Sequence, residues 1–97
     1  MTSLTTKWCV YMILCSDDSL YTGISNDVNR RFLQHQQNKG AKYFRSHAPV
    51  KIVYIENEHT RVTASQREYK IKQLTHTQKL SLVNSQQNQI ETKSEIN

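Results

Sequence analysis

Three observations in the 97 residues predict an α/β (α+β) domain: a small three-stranded, mainly antiparallel sheet flanked by helices, in the order ββα, β, αα. Residues 8–15, WCVYMILC, are apolar on both alternating faces, and a turn and a returning run follow them. Residues 28–38 and 63–74 carry apolar positions at helical spacing behind capping residues. A third strand-like run, 50–55, stands between those helices.

A strand apolar on both faces is buried on both sides, so 8–15 is expected in the middle of its sheet. Ser16, Asp17, Asp18 and Ser19 form a turn signal, and 20–24, LYTGI, returns as the second strand of a hairpin. Ser25, Asn26 and Asp27 offer helix caps before Val28. The helix is expected to run to about Asn38, with Gly40 as its stop. Val28, Phe32 and Gln36 fall together on its wheel, with Arg31 and His35 at the edge of that stripe and Arg30 and Gln34 pointing away. Residues 41–48, AKYFRSHA, predict a helical turn ended by Pro49. Residues 50–55, VKIVYI, are the third strand, and 56–60 a polar loop. The second helix turns Ala64, Ile71 and Leu74 inward, with Glu68 at the border of the stripe. Thr75 to Gln78 has capping-box spacing, so a last helix spans 77–83. Residues 84–97, rich in Gln, Asn, Ser and Glu, are expected to be a disordered polar tail behind one domain at 1–83.

The formal net charge is +5. Residues 1–83 alone hold 12 basic against 6 acidic residues. An excess of positive charge on a small domain favours a polyanion, most often nucleic acid, although solubility alone also calls for charge. No segment is long and apolar enough to span a membrane, and residues 1–7 lack the apolar core of a secretory signal. Cys9 and Cys15 lie too far apart along one strand to be bridged, as in a protein of the reducing cytoplasm. No obligate protein partner is evident.

Tyr11 and Tyr21 share one face of the hairpin only if its loop has an odd number of residues, because strand side chains alternate with a period of two. That arrangement is expected, with Gly23 beside them allowing a ligand's backbone to approach. Arg31 is a permanent fork of donors suited to a phosphate, and His35, one turn on, is of a type that titrates near neutrality. Glu68 is a lone carboxylate in a basic stretch, enough for Mg²⁺ when water and phosphate oxygens complete the shell. Each also has an ordinary structural explanation. Strand tyrosines are common, Arg31 fits a solvated helix face, His35 a satisfied polar edge, and 65–68 has the spacing of a capping box that would occupy Glu68.

Taken jointly, these positions resemble the GIY-YIG nuclease family. Cys9-Val10-Tyr11 stands where that family has Gly-Ile-Tyr, and Tyr21-Thr22-Gly23 where it has Tyr-Ile-Gly. Arg31, His35 and Glu68 match its arginine, histidine and metal-binding glutamate. The motifs at 26–35, 40–47 and 68–74 resemble those of its small single-domain bacterial members. Each motif alone is unspecific, but four in register across 8–83 are not. Cys9 and Thr22 depart from the pattern without supplying catalytic chemistry.

The resemblance implies a GIY-YIG-like fold and a phosphodiesterase using one divalent metal, Mg²⁺ or another. Tyr21 would help activate a water, with His35 near the proton path. Arg31 would steady charge on the phosphate, Glu68 would hold the metal, and Tyr11 would orient the nucleophile or shape the site. The expected substrate is DNA, cut structure-specifically in repair or processing, with RNA kept open. Gly23, Arg30, Lys42, Tyr43, Arg45 and Lys72 form the expected nucleic-acid contact set. The alternative is a nucleic-acid-binding module with little catalysis, in which the Lys42, Tyr43, Phe44 and Arg45 cluster stacks on bases beside cations.

Overall fold

The computed structural model describes residues 7–90. The order is β1 (Trp8–Cys15), β2 (Leu20–Ser25), α1 (Val28–Gln36), a 3-10 turn (Lys42–Arg45), β3 (Pro49–His59), α2 (Arg61–Lys72) and α3 (His76–Val83). β1 is central, antiparallel to β2 on one side and β3 on the other. Its residues Val10, Tyr11, Met12 and Ile13 are all buried, which is why only the middle position suits it.

The hairpin loop is three residues long. Cys15 N–H donates to Ser19 O at 2.9 Å, Asp18 N–H donates back to Cys15 O at 2.9 Å, and Asp18 takes the left-handed conformation at φ 68°. This is the type I turn plus left-handed residue that closes three-residue hairpins. Three is odd, so Leu14 pairs with Leu20, Ile13 with Tyr21 and Tyr11 with Gly23, and the two tyrosines share a face.

Each face of the sheet has its own layer. On one, Val10, Met12 and Tyr54 pack with Ala64 and Ile71 of α2, flanked by Leu82 and Val83 of α3. On the other, Tyr11, Ile13 and Cys15 pack with Val28 of α1 and Phe44 of the 3-10 turn. Among the described residues, no helix is long and apolar enough to cross a membrane. The two cysteines are free.

Some expected boundaries move. β3 runs on to His59 through the stretch expected to be a polar loop, because Val10 pairs with Glu56 and Trp8 with His59. Register shifts and Glu58 at φ 64° absorb the extra length. α2 begins at Arg61, with Thr60 as its N-cap in a capping box with Thr63. Glu68 therefore lies mid-helix and caps nothing. α3 starts from Thr75, boxed with Gln78 as expected.

The expected tail also departs from a disordered polar segment over residues 84–90. Asn88 is buried, donating to Val53 O and Val83 O at 2.8 Å each and accepting from Ile55 N–H at 3.1 Å. A buried amide satisfied by two elements ties this polar stretch to β3. The remainder of that expected tail, 91–97, lies outside the described residues.

Candidate active site

Tyr11 comes from the middle strand and Tyr21 from the edge strand, with ring centroids 6.3 Å apart. Gly23 makes room for the first. A Cβ there would stand 2.6 Å from Tyr11 Oη and 2.7 Å from its Cζ, so the phenol lies across the glycine. The gap expected to admit a ligand backbone is filled by Tyr11 itself, and Gly23 is buried.

α1 brings the next pair. Asp27 caps it by accepting from Arg30 N–H at 3.2 Å. Its end is set by Asn38 at φ 62°, with Asn38 N–H on His35 O at 3.2 Å and Lys39 N–H on Gln34 O at 2.8 Å. That is the Schellman arrangement, so Asn38 does the work expected of Gly40.

His35 is fully buried, not at the polar edge its wheel position suggests. The following segment covers it: Phe44 lies 4.3 Å away, centroid to centroid, and Gly40 abuts its ring. His35 Nε2 lies 3.0 Å from Tyr11 Oη. Burial first, and then the positive charge of Arg31, push its pKa down to about 4. The expected titration near neutrality is thereby overturned, and the ring is neutral at pH 7.

Arg31 is half-buried, and its Nη1 donates to Gln34 Oε1 at 3.0 Å. Burial raises the Tyr11 hydroxyl far above its ordinary range. Tyr21 adds to this, Arg31 opposes it, and Glu68 adds again. Burial also raises Tyr21, with Lys72 and Arg31 opposing and Glu68 reinforcing. Both phenols thus lie within the fields of one guanidinium and one carboxylate that approach from different helices. Glu68 Oε2 pairs with Lys72 Nζ at 3.1 Å.

The remaining expected contacts divide. Arg30, Lys42, Arg45 and Lys72 are exposed. Tyr43 is half-buried and stacks on His47, with centroids 4.1 Å apart and planes at 14°. His47 in turn meets Asp17 of the hairpin loop at 2.5 Å. Phe44, expected to be free to stack on bases, is instead buried between His35 and Tyr21. The sequence reading missed two covering roles, those of Phe44 and Gly40. The usable signal was Asn38, which already supplies the helix stop and leaves the glycine unexplained.

Comparison with known proteins gives consistent results. The model of the GIY-YIG catalytic domain matches residues 7–81. A UPF0213 protein of Staphylococcus epidermidis is 47% identical over 77 residues, covering 79% of this chain and 94% of that one. A UPF0213 protein of Desulfotalea psychrophila is 49% identical over 77 residues, covering 78% and 70%. The solution NMR structure of the UPF0213 protein BH0048 from Bacillus halodurans superposes with a TM-score of 0.55 at 34% identity, covering 92% of this chain and 95% of that one.

Proposed function

Because this chain belongs to the GIY-YIG catalytic domain family, we propose that it is a divalent-metal-dependent endonuclease that hydrolyses DNA phosphodiester bonds in the cytoplasm, structure-specifically and in repair or processing. The family match implies nuclease chemistry on nucleic acid. One observation carries the assignment to these residues: Tyr11 is hydrogen-bonded to His35 at 3.0 Å, and Arg31 and Glu68 both bear on the Tyr11 and Tyr21 hydroxyls.

A metal fits the donor set. Among the described residues no group of three His, Cys, Asp or Glu side chains could cage an ion. Magnesium needs no cage, since it commonly keeps several waters and takes one or two carboxylates plus phosphate oxygens. Glu68 is the carboxylate that would hold it, and its present partner is already a cation, Lys72. When bound, such an ion neutralises charge on the phosphate and the leaving oxygen.

The protein's own residues do the rest. Arg31 stabilises charge developing on the phosphate oxygens, from a half-buried position where such charge counts for more than in water. Tyr21 helps to activate the attacking water. Tyr11 orients that nucleophile, and His35, neutral and buried, holds Tyr11 in place instead of ferrying a proton as imidazolium. Arg30, Lys42, Arg45 and Lys72 are exposed cations for the backbone of the nucleic acid.

Purified protein incubated with duplex, branched, flap and single-stranded DNA, and with RNA, each with and without Mg²⁺, tests this. Metal-dependent cleavage lost in Arg31→Ala and Glu68→Ala variants of intact fold is the expected result. Undiminished cleavage by both variants overturns it. The second reading, binding with little catalysis, draws on exposed Lys42 and Arg45 flanking Tyr43. It predicts salt-sensitive binding that survives Glu68→Ala with no product formed.

A further inference from the structure

His35 Nδ1 is buried and has no hydrogen-bond partner among the described residues. Gly40 lies against it. A Cβ on Gly40 would stand 2.0 Å from Nδ1, 2.6 Å from Cε1 and 3.1 Å from Cγ. That spread places the point off the edge of the ring, not above its face. The glycine C–H that occupies this direction is therefore aimed at the Nδ1 edge, and it leaves no room there for a water or for an N–H. Gly40 does not have a positive φ, so its backbone could carry a side chain. The ring contact is what excludes one.

A neutral imidazole carries one N–H and one bare nitrogen. Placing the proton on Nδ1 would bury a donor against a C–H with nothing to receive it, at the full desolvation penalty of an unmade hydrogen bond. Placing it on Nε2 points the donor at Tyr11 Oη, 3.0 Å away, and leaves the Nδ1 lone pair facing a C–H, a weak but favourable contact.

We infer that Gly40 fixes His35 as the Nε2–H tautomer, so that the imidazole donates to the Tyr11 oxygen and Gly40 acts as a positioning residue of the site. The Tyr11 oxygen then accepts from His35, and the Tyr11 proton is directed away from the imidazole. The consequence for rate rests on the nuclease reading, whereas the tautomer itself does not.

The test is a long-range ¹H–¹⁵N correlation spectrum of the full chain at pH 7. It is expected to show His35 with a protonated Nε2 and a bare Nδ1. Gly40→Ala, if folded by circular dichroism, is expected to mix the tautomers and lower kcat about a hundredfold with KM little changed, as a displaced catalytic contact does. If that variant does not fold, two others decide. His35→Gln keeps an amide N–H near the Nε2 place and is expected to retain more activity than His35→Asn, whose amide falls near Nδ1. A protonated Nδ1 in the wild-type spectrum, or an Asn variant as active as the Gln variant, overturns the inference. A protonated Nε2 in a protein that cleaves nothing would leave the tautomer standing and remove the nuclease reading.

Discussion

The Tyr11 phenol lies over Gly23, which has no Cβ to prevent it: one would meet the hydroxyl oxygen at 2.6 Å. Gly23→Ala must therefore displace the ring of a fully buried tyrosine. Overpacking of this kind costs about 1–3 kcal/mol. Urea denaturation should show that loss, and cleavage should fall with it, because the Tyr11–His35 bond is disturbed.

The two neighbouring arginines of α1 should behave differently. Arg31 bears on both phenols, whereas Arg30 is exposed. Arg31→Ala is expected to lower kcat by about 10²–10³, the usual loss for a preorganised electrostatic group. Arg30→Ala should alter kcat little and weaken substrate binding slightly. Steady-state kinetics on one DNA substrate would separate them.

His35 makes stability depend on pH. Its folded pKa is depressed from 6.5 to about 4, so below 6.5 the unfolded chain binds a proton that the folded chain refuses. Stability is fully present above that value and declines as pH falls toward 4. Denaturation midpoints measured between those limits should show this slope. It should be shallower in His35→Gln, the remainder near pH 4 coming from Asp17 and Glu56, whose hydrogen-bonded carboxyls are held below their ordinary range.

Glu68 and Lys72 offer a test of the proposed metal site that does not depend on cleavage. Glu68→Gln should abolish Mn²⁺ binding measured by calorimetry. Lys72→Met removes the ammonium from Oε2. An i,i+4 pair open to solvent on its lysine side is worth a few tenths of a kcal/mol, so the metal should bind about twofold more tightly.

Asn88 should matter to stability although its stretch reads as polar tail. Its amide meets Val53, Ile55 and Val83. Asn88→Ala leaves partly buried backbone groups unpaired, at about 1–3 kcal/mol. A thermal melt lower than wild type by several degrees is expected, and an unchanged melt would count against the role.

Much of this was legible in the chain. Periodicity and caps placed β1 at the centre of the sheet, ordered the elements and located α3 from Thr75 and Gln78. The odd hairpin loop followed from requiring both tyrosines on one face. Spacing within one helix set Arg31 and His35 a turn apart. Such features are local, and local geometry repeats with periods of two or 3.6 residues that residue type reveals.

Tertiary packing decided the rest. Whether His35 titrates near neutrality depends on Phe44 and Gly40, which arrive from another segment and exclude water from its ring. Whether Gly23 opens the site or seats a tyrosine depends on a side chain from the neighbouring strand. Asn88 is ordered because β3 presents it with backbone partners. A wheel or an alternation pattern gives the direction of a side chain. It says nothing about what covers that side chain, and desolvation, which sets both pKa and hydrogen-bond demand, is a property of the cover.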